Sequence, residues 1–181
     1  MDTRYLCIVI LIIAGLTMQA PLNQAPLRMA KLNTPAFKNV QGGPLQICSQ
    51  KGMAMTGFTR NGKCVEQKDD EGSHHICIDL KSVSGQANQS ENFCEVTGQP
   101  NWCDEKGGCF QSSGKCPRKN WCVCQWAFAA YLQKAGGCDK IQNIVCEATN
   151  MEAFKAYVEQ GKTSPHIAKA LACLKQRCNL N

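Results

Sequence analysis

The stretch Asp70-Glu-Gly-Ser-His-His-Ile-Cys77 puts two carboxylates, two imidazoles and a thiol within eight residues. A second stretch, Asn120-Trp-Cys-Val-Cys124, adds two thiols. If the fold joins them, three chemistries are open. Asp70, His74, Cys77, Cys122 and Cys124 are all ligand types for zinc, and His74 and Cys77 are close enough in sequence to share an ion. Against a His74, Cys77, Cys122, Cys124 site stands the single residue between Cys122 and Cys124, where closed zinc sites use about two to four. A thiol–disulfide enzyme is the second option, because a helix start favours a thiolate. The Cys-x-x-Cys spacing that marks such enzymes is absent. The third is a Cys–His nucleophile, His74 with Cys77, Cys122 or Cys124, with no nucleophile signature around any of them. A plain structural reading competes with all three. In it Asp69-Asp70-Glu71 is a solvated turn, Asp70 hydrogen-bonds His74 or caps that turn, and the cysteines are staples. The remaining histidine, His166, follows a helix start and reads as a surface residue.

The cysteines set the compartment. Fourteen in 181 residues is the usage of a disulfide-rich chain in an oxidising environment. The N-terminus agrees. Arg4 precedes an eleven-residue apolar run, Leu6 to Leu16, short of the roughly 20 residues that span a bilayer and suited to a signal-peptide core. Residues 1–20 are therefore expected to be a signal peptide ending on Thr17-Met-Gln-Ala20, with no stable membrane span. The destination is the extracellular space or the lumen of the secretory pathway. Cys7 leaves with the peptide. The thirteen that remain are Cys48, Cys64, Cys77, Cys94, Cys103, Cys109, Cys116, Cys122, Cys124, Cys138, Cys146, Cys173 and Cys178. An odd set leaves one thiol free, or paired between chains in a disulfide-linked dimer. The net charge of +6 is scattered and clusters only at Lys115-Cys-Pro-Arg-Lys119. It speaks for solubility and against nucleic acid as a partner.

Several elements must position these residues. Residues 21–37, with three prolines, read as a flexible arm, and 38–181 as a single Cys-rich domain. Asn61-Gly62 predicts a hairpin, because a type I′ turn needs positive φ at both central residues. Phe58 and Arg60 would lead in and Cys64 would lead out. His75, Cys77 and Asp79 alternate with Ile76, Ile78 and Leu80, which predicts a strand with one apolar face. Residues 81–120 lack periodicity and need Cys94, Cys103, Cys109 and Cys116 to order them. Asn88-Gln-Ser90 in this stretch is a glycosylation sequon, and Trp102 is the aromatic expected to be exposed and to contact a ligand. A helix is predicted over 124–134, with Cys124, Phe128, Tyr131 and Leu132 on one face and Gly136-Gly137 ending it. Residues 141–146 read as a buried strand. Thr149-Asn-Met-Glu152 reads as a capping box for a helix to Gln160, and Ser164-Pro165 as the start of a last helix. The expected fold is α+β: a small disulfide-rich single domain with an N-terminal hairpin or strands and two or three C-terminal helices.

In their order these residues carry a resemblance. Asn39-Val-Gln-Gly-Gly-Pro-Leu, Cys48, Met55-Thr-Gly-Phe, Arg60-Asn-Gly, Cys64, Asp70-Glu-Gly-Ser-His74, Cys77, Trp121-Cys-Val-Cys124 and Glu147-Ala-Thr149 together resemble a small, mainly bacterial family catalogued as domain of unknown function 2237. The likeness implies a compact α+β domain and brings no established activity. The family-like positions are Cys48, Cys64, Asp70, Gly72, His74, Cys77, Trp121, Cys122 and Cys124. Three polar positions depart from it. Gln125-Trp-Ala-Phe128 lacks the Arg of an Arg-Trp pair, Arg118-Lys119 replaces a Gly-Asp, and Asn150 stands where a His follows Ala-Thr. The proline-rich middle of the family is Cys-rich here, and the remaining cysteines look like additions suited to an oxidising compartment.

Function is then read as a secreted, disulfide-stabilised, non-catalytic module that binds an unidentified protein or small ligand without a cofactor. The rival is a metal- or thiol-dependent enzyme centred on Asp70, His74, Cys77, Cys122 and Cys124.

Overall fold

A computed structural model describes residues 37–82, 92–99 and 102–181. The expected signal peptide, the arm up to residue 36, Cys7 and the Asn88 sequon lie outside the described residues. The elements run β1 (Ile76–Asp79), α1 (Phe93–Thr97), β2 (Lys106–Gly108), β3 (Lys115–Pro117), β4 (Asn120–Val123), α2 (Gln125–Ala135), β5 (Asn143–Ile144), α3 (Met151–Gln160) and α4 (Pro165–Cys178). The fold is α+β, as the sequence predicts, with three helices in its C-terminal third.

β1 is the centre of an antiparallel sheet of order β4-β1-β5, and β2 and β3 form a separate hairpin. The alternation in β1 places different side chains on its two faces. Ile76, Ile78 and Leu80 join Val123 in a core built with Phe93, Phe128, Tyr131, Leu132, Tyr157, Ile167 and Leu174 from the helices. Cys77 and Cys122 join Cys48, Cys64 and Ala148 in a second, smaller core. The 38–66 loop that contributes to this core has few large apolar residues, and sulfur bridges supply the cohesion that apolar area alone would not.

Six disulfides hold the described residues together. Cys48–Cys77 and Cys64–Cys122 tie the loop to β1 and β4. Cys94–Cys103 and Cys109–Cys116 order the stretch around α1 and the small hairpin. Cys138–Cys173 and Cys146–Cys178 fasten α4. Cys124, grouped with the staples on sequence, keeps a free thiol, because the cysteines nearest to it in the chain are already paired. Six bridges are the product of an oxidising environment. Among the described residues no helix is long and apolar enough to cross a membrane.

Three expectations about local structure fail for tertiary reasons. No hairpin ladder forms around Asn61-Gly62. The Gly62 carbonyl instead accepts from Cys48 N and Ser49 N (2.8 and 3.1 Å), so the loop folds back on its own start, and positive φ falls on Arg60 and Gly62. The strand over 141–146 shrinks to β5, because Gln142 is buried and its side chain is committed to Leu80 O and Phe93 N. The cap of α3 moves by one residue. Asn150 accepts from Glu152 N at 3.0 Å, since the Thr149 hydroxyl already accepts from Cys77 N and donates to Val145 O.

Candidate functional site

Asp70 and His74 form a doubly bonded polar pair. One carboxylate oxygen of Asp70 accepts from the His74 backbone N–H at 2.9 Å, and the other lies 2.6 Å from Nδ1 of the ring. The Asp70 side chain is 1% exposed and that of His74 is 38% exposed. The loop shape makes this possible. Ser73 turns back at φ 45°, and Gly72 lies so close beneath the ring that a Cβ there would meet His74 Cε1 at 2.4 Å. Phe58 stacks on the ring, with centroids 6.4 Å apart and planes 18° from parallel. Nδ1 is thus engaged with the carboxylate, and the second ring nitrogen is the one left for chemistry.

Burial pushes the Asp70 carboxyl up. The hydrogen bonds from the His74 backbone and ring, with the charges of His74 and His75, more than offset this and hold it below its ordinary value. A carboxylate with a depressed pKa stabilises the fold above the unfolded value, and that contribution is lost as pH falls through the lower, folded value. Asp70→Asn is therefore expected to flatten the fall of the urea midpoint as the pH drops through and below the ordinary carboxylate range. Parallel curves for the two proteins would assign the acid sensitivity to other carboxylates.

His75, adjacent in sequence, is buried and differently committed. Its Nδ1 lies 2.8 Å from Gln125 Oε1, and Nε2 faces the Glu66 carboxylate at 2.5 Å without the alignment of a hydrogen bond. It ties the loop to α2 and has no ring nitrogen open to a ligand.

The loop and the start of α2 are stitched at the residues that matter. Gln125 N–H donates to the Ser73 carbonyl at 3.1 Å, which ties the residue before His74 to the residue after Cys124. Cys124 occupies the N-cap of α2, and its side chain makes no capping hydrogen bond. Below it, the buried Tyr157 hydroxyl donates to the Gln125 carbonyl. Burial, and then the proximity of Cys124, raise the pKa of that phenol well above its usual value, so it stays a neutral donor. Cys124 and His74 line one cavity of about 180 Å³, walled by Trp102, Trp121 and Gln99. Larger open cavities of about 350 and 600 Å³ lie against α4 and at Phe37–Lys38. Neither is lined by a free thiol.

Two of the aromatic walls carry cations over their rings. Arg118 stacks over both Trp102 (5.7 Å) and Trp121 (5.1 Å), and Arg60 covers Trp121 at 5.2 Å. Trp102 is half-buried, not exposed as its sequence context suggests. It packs edge-on to Phe93 and donates from Nε1 to Gln99.

Of the residues singled out on sequence, the fold brings Asp70, His74, Cys124 and Trp102 to one place. It removes Cys77 and Cys122 into disulfides, so the set His74, Cys77, Cys122, Cys124 is not a cluster of free ligands. His166 is exposed on α4, bonded to Ser164. Sequence reasoning missed Arg60, Arg118 and Phe58. Only Gly72, two residues before the histidine, carried a signal that something must pack closely there.

This arrangement defines a small, disulfide-rich α+β protein with an oriented histidine on its surface. The chain belongs to the family described as "Uncharacterized protein conserved in bacteria (DUF2237)", whose model matches residues 38–162. No curated protein matches it.

Proposed function

We propose that this is a secreted protein that performs thiol-dependent acyl chemistry, with Cys124 as nucleophile, His74 as general base and Asp70 as the group that orients the imidazole. One observation supports this reading above the others. Among the described residues, the one cysteine left out of the six bridges lines the same cavity as the histidine whose ring is fixed by a buried carboxylate. Nucleophile, base and orienting acid are the three roles that activate a thiol. The Cys124 sulfur bonds to the acyl carbon and its proton passes to the free ring nitrogen of His74. That proton then leaves with the departing group, and water cleaves the thioester to regenerate the thiol. The cavity is small, which suits a short acyl group flanked by the Trp102 and Trp121 faces.

The non-catalytic binding module expected from sequence is the second reading, and the Arg60–Trp121–Arg118–Trp102 stack favours it. Such a surface binds anionic or aromatic groups without chemistry. The two readings separate on reactivity. Native chain treated with iodoacetamide at neutral pH should be modified at Cys124, as read by intact mass and peptide mapping. His74→Gln should slow that reaction by about 10²-fold if the ring acts as a base. An unchanged rate would leave Cys124 an ordinary thiol and return the site to the binding reading.

A further inference from the structure

The second core is made of sulfur, and its geometry is that of a ligand set. Cys77 and Cys122 sit directly opposite one another on β1 and β4, so their side chains leave the same face of the sheet. Neither bonds to the other. Each reaches instead to a cysteine of the covering loop, Cys48 and Cys64. The two bridges lie against each other. The sulfurs of Cys48, Cys64 and Cys77 are all within 4.8 Å of one another, and that of Cys122 is bonded to Cys64. All four residues are buried, none more than 2% exposed. Among the described residues this is the one place where three or more thiol, imidazole or carboxylate ligand atoms come so close.

We propose that Cys48, Cys64, Cys77 and Cys122 form a convertible site, two disulfides when the chain folds under oxidising conditions and one tetrahedral zinc–thiolate centre when it folds under reducing ones. Zinc–sulfur bonds of about 2.3 Å place tetrahedral sulfurs about 3.8 Å apart. The two bonded pairs, Cys48–Cys77 at 1.98 Å and Cys64–Cys122 at 2.10 Å, would open to this distance once reduced, and the non-bonded separations among Cys48, Cys64 and Cys77, already within 4.8 Å, would close slightly. Hydrogen bonds hold the backbone at these positions in addition to the bridges. Cys77 N donates to Thr149 Oγ1 and Cys122 N to Thr56 Oγ1, both buried hydroxyls, and Cys48 N donates to the Gly62 carbonyl. With the bridges open and no metal, four thiols would face each other in a small cavity. Zinc binding supplies the folding energy that the lost cross-links withdraw. The chemistry balances: each disulfide takes two electrons from the reductant and two protons, from the dithiol itself or, with a phosphine, from one water whose oxygen the phosphine keeps, giving four thiols in all, and zinc displaces their four protons. The reductant leaves as its disulfide or its oxide. The spacing in sequence is too long for the short-range patterns by which zinc sites are read, so only the fold brings this set to view.

The test is to refold the full chain in a phosphine reductant with zinc, remove excess metal, and count zinc by elemental analysis. One ion per chain is expected. Cobalt in its place should give the intense absorption of a tetrahedral four-thiolate centre. Cys48→Ser, Cys64→Ser, Cys77→Ser and Cys122→Ser should each weaken zinc at least about 100-fold. Cys124→Ser and the pair Cys138→Ser with Cys173→Ser should retain it. The cobalt spectrum of the unsubstituted chain decides the matter even where a serine variant fails to fold. Substoichiometric zinc, a cobalt spectrum with nitrogen or oxygen ligands, or loss of the ion on substituting Cys124 overturns the proposal.

Discussion

Replacing Cys64 and Cys122 together by alanine is expected to lower the unfolding free energy by about 4 kcal/mol, against about 2 kcal/mol for Cys109 and Cys116. The difference comes from the unfolded chain. The first bridge joins residues 58 apart and the second residues 7 apart, and a longer closed loop removes more conformational freedom from the unfolded state. Packing acts in the same direction. Cys64 and Cys122 are 0% and 2% exposed, in the middle of the sulfur core, whereas Cys109 and Cys116 are 7% and 9% exposed at the small hairpin. Truncating the first pair therefore also leaves a cavity beside Cys48, Cys77 and Ala148. A domain of this size holds about 5–15 kcal/mol of stability in all, so the first variant should sit close to its unfolding limit at ambient temperature while the second stays folded. Urea unfolding at one temperature, with both variants fully oxidised elsewhere, measures the two losses. Equal losses would mean that neither loop length nor the sulfur core governs stability here.

What could be read from the sequence follows the range of the interaction responsible. The strand through Ile76 and Ile78 and the face of α2 carrying Phe128 and Tyr131 are local periodicities, and both appear where expected. The Asp70–His74 contact was legible because the residues are four apart in a turn. The Asn61-Gly62 signal does not produce a hairpin because the segments it would join are held elsewhere, by Cys48 and Cys64 reaching to β1 and β4. Pairings at separations of 29 and 58 residues leave no trace in local composition. For the same reason the identity of the unpaired cysteine was hidden, and with it the feature that links Cys124 to His74. The short α1 and the β2–β3 hairpin went unpredicted because they carry little apolar pattern of their own and depend on Cys94–Cys103 and Cys109–Cys116. The place of Trp102 in the Cys-rich loop points to exposure, yet it is half-buried, because Arg118, sixteen residues away, covers it and donates to its carbonyl.

Gly72→Ala should slow alkylation of Cys124 as much as His74→Gln does, about 10²-fold, while leaving every ionisable group in place. Gly72 does not adopt a left-handed φ, so alanine is acceptable to the backbone, and the conflict is with one side chain. The new methyl group would lie 2.4 Å from His74 Cε1, 2.9 Å from Nδ1 and 3.1 Å from Nε2, all far inside contact distance. The ring must rotate away. It then loses the 2.6 Å contact with Asp70 and its stacking on Phe58, and a buried carboxylate is left with one hydrogen bond fewer, at a cost of about 1–3 kcal/mol. The protein keeps an imidazole and a thiol near each other but loses the geometry that connects them. Combining Gly72→Ala with His74→Gln decides between explanations. If both act by removing one oriented base, the double variant reacts no more slowly than either single one, because residues of one device do not add. Additive losses would show that Gly72 acts on Cys124 through the α2 start and not through the histidine. A Gly72→Ala protein that alkylates at the native rate would show that the orientation of the His74 ring is irrelevant to the thiol, and the catalytic reading of this cavity would fall with it.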